Sequence, residues 1–375
     1  MKNPVLSGAF KFKKSMRYFI LFIVTAITST LTLAQSLTVT ESSVTARNGV
    51  NQYTISGHQI AIEGNDLRFA GTAASSSVNN LTAISAVLKS SSINIHAGNG
   101  DELFSTSFNI ESDDASAKIY AKLNGGFVVR ENIANFLFYN SLGSVKQSIS
   151  NSSQSTEGES ISELASDPAF RTVVLYNPKV VSGGVEGSRA KVVNSDLTST
   201  DIYYSSNRAI RTVKVSDNGQ FIAIATYSPG TDNIVVITDR FGNDLAEINF
   251  DQSVEDVVIS EDGGYVTIRS NGRMGVYSVR NGERNGSASF RSTLLYAEYV
   301  PEDQTVVALT GSRSGSALTG VEVHVINVAA RAIQRQSFNT SLSMTDLIPL
   351  SVSRKGTYRY SLSGLSKTLD LNASF

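Results

Sequence analysis

Val254-Glu-Asp-Val-Val-Ile-Ser-Glu-Asp-Gly263 is followed by Gly264-Tyr-Val-Thr-Ile-Arg-Ser270, Arg273-Met-Gly-Val-Tyr-Ser-Val-Arg-Asn-Gly282 and a segment from Glu283 to Phe290. Apolar runs of period two are separated by Gly, Asn, Asp and Ser, which reads as four antiparallel strands, A to D, joined by tight turns. The stretch before it has the same plan: Val213-Lys-Val-Ser-Asp-Asn-Gly219, Phe221-Ile-Ala-Ile-Ala225, Asn233 to Gly242 and Asn243 to Phe250. The stretch after it repeats the plan again, through Tyr296 to Asp303, Thr305 to Leu309, Val321 to Ala330 and Arg331 to Phe338. Gly219 and Gly263 stand 44 positions apart, and three consecutive copies end on Phe250, Phe290 and Phe338. A period of 40 to 50 residues marks an array of supersecondary units, none of which buries its apolar face alone.

Working outward, weaker copies give repeat boundaries of 58–108, 117–150, 161–206, 209–250, 254–290 and 294–338. Residues 346–375 supply only three strands of a seventh unit. Two strands with no repeat of their own, within 37–56, precede the first copy. Pairing the N-terminal strand or strands with the last unit removes the open edges that a radial array leaves at its ends. The fold expected is therefore all-β, a seven-bladed β-propeller of four-stranded blades with a ring closed by the N-terminus.

The Ser-Asp-Asn-Gly219 and Ser-Glu-Asp-Gly263 turns between alternating strands resemble those of WD-repeat-like, or YVTN-type, β-propellers common among exported bacterial proteins. The resemblance covers most of the chain and concerns fold alone. The Gly-His and Trp-Asp signatures of true WD repeats are missing, as the chain contains no Trp.

The chain has 375 residues, 32 basic against 33 acidic, with 41% hydrophobic, 17 Phe and 14 Tyr. Balanced charge gives no electrostatic grip on nucleic acid or an anionic membrane, and so apolar a composition is not that of a disordered protein. With no Cys, disulfides, thiolate nucleophiles and zinc-thiolate sites are excluded. Residues 1–34 read as a secretory signal peptide: a basic run from Lys2 to Arg17, the apolar stretch Phe19 to Ile27, and Thr32-Leu33-Ala34 before a cut after Ala34. The mature chain then spans 35–375 with 27 basic and 33 acidic residues, a net charge of −6. This places it in the periplasm or outside the cell, without stable membrane insertion after cleavage.

The search for chemistry yields no catalytic residue, no metal site and no cofactor. His96 and His324 fall on third strands of the first and sixth units, which are not neighbours, His58 lies at the start of the first unit, and all three read as structural. Gly311-Ser-Arg-Ser-Gly315 has Arg where a nucleophile elbow needs Ser. Asp and Asn in the acidic turns read as partners of local backbone rather than as calcium ligands. What stands out is loop anatomy. The B-to-C segments Thr72–Leu81, Asn177–Arg189, Tyr227–Asn233 and Thr310–Gly320 are long, as is the D-to-A link Asn151–Ser160, and all open on one face of a propeller. Elaborated loops on a rigid scaffold carry binding residues. Tyr176, Asn177, Lys179, Glu186, Arg189, Tyr227, Asp232 and Arg313 are the candidates, and a protein, peptide or glycan is the partner they are expected to meet. An enzyme with carboxylates converging on the central channel from separate blades is the alternative; a structural scaffold of the envelope is the third reading.

Overall fold

The computed structural model describes residues 36–42, 49–64, 66–67, 73–110, 116–153, 160–182, 185–194, 198–228 and 233–375; the side chains of 180–182 and 185–186 lie outside that description. The expected signal peptide, 1–34, is also outside it.

After β1 (Ser36–Ser42), the strands β2 (Val50–Ile55), β3 (His58–Glu63) and β4 (Asp66–Leu67) form a three-stranded sheet. Five four-stranded meanders follow. They are β5 (Ser75–Val78), β6 (Ser85–Leu88), β7 (Ser92–His96), β8 (Glu102–Ser107); β9 (Lys118–Ala121), β10 (Phe127–Arg130), β11 (Asn135–Tyr139), β12 (Val145–Ser150); β13 (Glu163–Ser166), β14 (Val173–Ser182), β15 (Val185–Val193), β16 (Ser199–Ser205); β17 (Ala209–Val215), β18 (Phe221–Tyr227), β19 (Asn233–Asp239), β20 (Asp244–Phe250); and β21 (Asp256–Ile259), β22 (Tyr265–Arg269), β23 (Arg273–Ser278), β24 (Arg284–Ser289). A sixth meander of β25 (Leu294–Val300), β26 (Thr305–Ser314), β27 (Ala317–Asn327) and β28 (Ala332–Ser337) takes β29 (Leu342–Ser343) as a fifth strand against β27. The last sheet holds β30 (Ser351–Gly356), β31 (Arg359–Ser363) and β32 (Thr368–Ser374), and β1 completes it antiparallel to β32, from Ser36 opposite Ser374 to Ser42 opposite Thr368. Among the described residues the one helical element is the 3-10 turn Pro301–Asp303.

The N-terminus thus gives a single strand to the last sheet. The second orphan strand, Gln52–Ser56, pairs instead with Gln59–Glu63, residues expected in the first repeat. That repeat draws its inner two strands from Ser75–Val78 and Ser85–Leu88, so Thr72–Leu81 is no B-to-C loop. The three-stranded sheet packs Tyr53, Ile55, Ile60, Ile62 and Leu67 into one cluster with Ala83, Val87 and Ile348.

Each neighbouring pair of sheets shares an apolar cluster, because inner strands such as β6, β10 and β18 are nearly continuous apolar runs buried on both faces. One example joins Ala223, Val235, Ile237 and Ile248 to Val257, Val266, Ile268 and Tyr277; another joins Val307, Leu309 and Val323 to Leu362, Leu369 and Leu371.

The repeated turns are built as their residues dictate. The Ser216 hydroxyl accepts the Phe221 amide (3.0 Å) and the Ser260 hydroxyl the Tyr265 amide (3.0 Å), while Asn218 and Asp262 each accept the amide two residues on. Gly143, in the β11–β12 turn, has φ +72°, and a Cβ there would lie 1.9 Å from the Phe104 ring of the preceding sheet. Gly143→Ala is expected to cost about 2–4 kcal/mol in urea unfolding, from strain plus overpacking. Gly57→Ala, at φ +79° with nothing within 4 Å, carries the strain alone and gives the baseline.

Candidate functional site

A cavity of about 680 Å³ is lined by Ser77 of β5, Tyr120 of β9, Leu164 of β13, Thr212 of β17, Asp256 of β21, Tyr296 of β25 and the segment Met344 to Leu350, together with their neighbours. Its walls are therefore the first strands of six sheets and the lead-in to the seventh.

Charged side chains along these strands pair from one sheet to the next. Lys118 Nζ reaches Glu163 (2.9 Å), Arg211 reaches Glu255 (3.7 Å) and Lys214 reaches Asp256 (3.5 Å), which Arg269 also approaches (3.7 Å). Glu163 receives most: Lys118, the Arg130 guanidinium at 3.0 Å and the Tyr120 hydroxyl at 3.2 Å. Burial pushes its carboxyl up, but Lys118 and Arg130 outweigh that and hold it below the usual carboxylate range. The opposite result appears at Glu298. It accepts the Tyr296 hydroxyl and the Val352 amide (2.9 Å), yet burial pushes its carboxyl up to about 7, reinforced by Asp217 and Glu261.

The loop segments singled out in the sequence are mostly strand. Asn177–Arg189 belongs to a long β14–β15 hairpin and Thr310–Gly320 to the β26–β27 hairpin, which turns at Gly315 (φ +56°) and is tethered by β29. Their Ser- and Gly-rich composition hides strands that extend beyond the blade, where no sheet neighbour requires apolar side chains.

Of the candidate residues, Tyr176 lies opposite Glu163 in register and lines the cavity, with burial raising its hydroxyl. Asn177 is buried rather than presented: its amide bonds Asn151, whose Nδ2 also reaches Ser162 (2.6 Å), so it anchors the hairpin base. Arg189 forms a two-point bond with Asp201 (2.9 and 2.8 Å). The Arg211 guanidinium sits 5.1 Å over the Tyr227 ring, and Arg313 bonds Gly315 carbonyl (2.7 Å) and Asp346 (2.9 Å). Lys179 is exposed on β14. Asp232 and the Glu186 side chain lie outside the described residues. The structure thus brings Tyr176 and, through Asp346, Arg313 to the cavity, while Arg189 and Tyr227 engage local partners.

The Lys118–Glu163–Arg130 cluster and the Tyr296–Glu298 pair were not among the candidates. Their signal is a charge within an otherwise apolar inner-strand run, as in Phe127-Val-Val-Arg130 and Tyr296-Ala-Glu-Tyr-Val300. The histidines sit on β3, β7 and β27; His324 shares a 3.0 Å bond with the Thr310 hydroxyl, and burial lowers its pKa.

No protein-family model matches the chain, and no curated protein matches it. Among solved structures it is similar to BamB from Moraxella catarrhalis, with 13% identity over 89% of this chain and 99% of that one and a TM-score of 0.53. A chain of the mitotic checkpoint complex (10% identity, 89% and 97% covered, TM-score 0.49) and Kluyveromyces lactis Hsv2 (8%, 77% and 89%, 0.49) are also similar. Identities this low establish fold only. The all-β architecture of successive four-stranded antiparallel sheets is that of the β-propellers, as the turns had implied.

Proposed function

We propose that the chain is an exported β-propeller that binds a protein, peptide or glycan through its B-to-C face, without catalysis. In this reading the seven sheets of four or more strands are the blades of one ring. β1 closes the ring on β32, and the three-stranded sheet is an incomplete sector between the first and last blades. Contact of that sheet with both neighbours supports closure, through Ala83 and Val87 on one side and the Gly364 amide bonded to the Thr54 carbonyl on the other.

The observation that carries the binding reading is the pair of long B-to-C hairpins, β14–β15 and β26–β27, flanking a cavity whose charges are largely committed to one another. Rigid projections beside a concavity are what recognition uses. Export rests on the sequence of residues 1–34; among the described residues no helix is long and apolar enough to cross a membrane.

Residues 35 to 375 screened against glycans and peptides should gain about 2.7 kcal/mol of apparent stability at a hundredfold excess of ligand over Kd. Replacing 179–188 or 312–319 with a two-residue turn should abolish that gain while leaving the unliganded protein folded. A channel-centred enzyme is the second reading, favoured by Glu298 beside Tyr296, which lines the cavity. A ligand whose binding survives both hairpin replacements and fails in Glu298→Gln would select it.

A further inference from the structure

The hairpin of β26 and β27 rises above the sixth meander as a ribbon whose two edges differ. Ser314 and Ala317 close a two-residue turn at Gly315 and Ser316, with Arg313 opposite Leu318 and Ser312 opposite Thr319. The residues that flank such a turn exchange both main-chain bonds, so the next pair, Arg313 and Leu318, turns its N–H and C=O groups outward from the ribbon. On the Leu318 side a strand fills the edge. There β29 runs antiparallel, with Leu342 opposite Leu318 and the Met344 amide donating to the Ser316 carbonyl (2.8 Å). On the Arg313 side the pairing stops at Gly311, whose amide donates to the Thr293 carbonyl (3.0 Å) just before β25 begins. Beyond that bond Ser312, Arg313 and Ser314 are exposed, and among the described residues no strand pairs with them on that side. The Arg313 guanidinium is occupied elsewhere, by the Gly315 carbonyl (2.7 Å) and Asp346 (2.9 Å).

We propose that this edge is a strand-addition site, where an extended segment of a partner protein pairs antiparallel with β26 at residues 312–314 and bonds the main-chain N–H and C=O of Arg313. Such a site rests on the binding reading and narrows the partner from protein, peptide or glycan to a polypeptide in extended conformation. The molecule itself shows the mode, because the equivalent groups of Leu318 face β29, and Leu318 and Leu342 are buried by the pairing. An added strand would continue the line of β25 past Thr293 and make the ribbon four strands wide, the width of a blade. Open main-chain groups on a strand edge are what this kind of recognition uses: ladder bonds supply affinity, and alternate side chains supply specificity. A glycan has no alternating N–H and C=O groups to offer such an edge.

Peptides selected from a displayed random library on residues 35 to 375 supply the probe, and two exchanges at one position test the mode. Arg313→Pro removes the outward N–H and no donor that faces β27, so the ribbon persists while peptide affinity should fall at least roughly tenfold. Arg313→Ala keeps that N–H and should bind within about threefold of wild type. A second readout needs no variant: on adding peptide to the wild-type protein, the Arg313 amide followed by NMR should exchange at least roughly tenfold more slowly. The Gly311 amide, already bonded to Thr293, should keep its rate. Retained binding in the Pro variant, an equal loss in the Ala variant, or an Arg313 amide that does not slow overturns strand addition and leaves the binding reading standing. A library that yields no binding peptide overturns it as well. Ligands whose binding survives replacement of both 179–188 and 312–319 sink the binding reading itself.

Discussion

Arg130→Ala is expected to destabilise the protein more than any other single exchange considered, by about 3–5 kcal/mol at neutral pH, because it strips partners from a buried charged network. Arg130 ends β10 and is 4% exposed. Its Nε and NH2 donate to the Ser116 carbonyl (2.9 and 2.6 Å), and NH1 donates to the Ser162 carbonyl (2.5 Å) while pairing with Glu163. Those carbonyls lie just before β9 and β13, the inner strands of two adjacent sheets. One guanidinium therefore fixes the spacing of two adjacent sheets. Alanine would leave two carbonyls without these donors and Glu163 with only Lys118 and the Tyr120 hydroxyl. Lys cannot replace it, since a single ammonium cannot span both carbonyls and the carboxylate. Lys118→Ala provides the contrast: its side chain is 44% exposed, so its pair with Glu163 should contribute under about 1 kcal/mol. Equilibrium urea unfolding of the three variants measures the difference.

The second large effect is expected at Asp303. Its carboxylate accepts Arg354 Nε (3.0 Å) and NH2 (2.9 Å), the Tyr358 amide (3.1 Å) and the Tyr360 hydroxyl (3.0 Å). These contacts tie the β25–β26 turn to the β30–β31 hairpin. Asp303→Ala should cost about 2–4 kcal/mol at pH 7, mainly by orphaning the buried Tyr360 hydroxyl and the Tyr358 amide. Asp303→Asn keeps the shape and should recover part of that. Burial pushes the Asp303 carboxyl up, but Arg354, Tyr358 and Tyr360 outweigh it and hold it below the usual range. A depressed folded value contributes stability above the unfolded value of about 3.9, lost as pH falls through the folded one. The gap between wild type and Ala variant should accordingly close on acidification.

Much of the fold was legible because the turns and the strands agree. Ser216 to Gly219 and Ser260 to Gly263 place Ser, Asn or Asp and Gly where the backbone needs an acceptor and a positive φ, and the repeat spacing then orders the sheets. Where the sequence misled, a physical cause is visible. Ser75-Ser-Ser-Val78 reads as a polar loop, yet it is an inner strand whose Ser75 and Ser77 hydroxyls accept the Ile119 and Ala121 amides of β9 (3.2 and 3.1 Å). Hydroxyls that serve a neighbouring backbone replace the apolar alternation by which strands are found. Gln59–Glu63 alternates properly, but alternation names a strand and not its partners, so it was assigned to the wrong sheet. The candidate site was less legible. Asn177 looked like a binding residue and is a buried anchor, while Arg130, Glu163 and Glu298 sit in apolar runs where only three-dimensional neighbours reveal why a charge is tolerated.

The most direct test of the proposed binding face is site-specific photo-crosslinking in cells that express the protein. A photoreactive residue in place of Lys179 on β14 or Arg313 on β26 reports on the two hairpins. One in place of Leu142, 78% exposed in the β11–β12 turn, reports on the opposite end of the sheets. The account predicts the same covalent adduct from positions 179 and 313 and none from 142. An adduct from 142 alone, or different adducts with no common partner at 179 and 313, would contradict it.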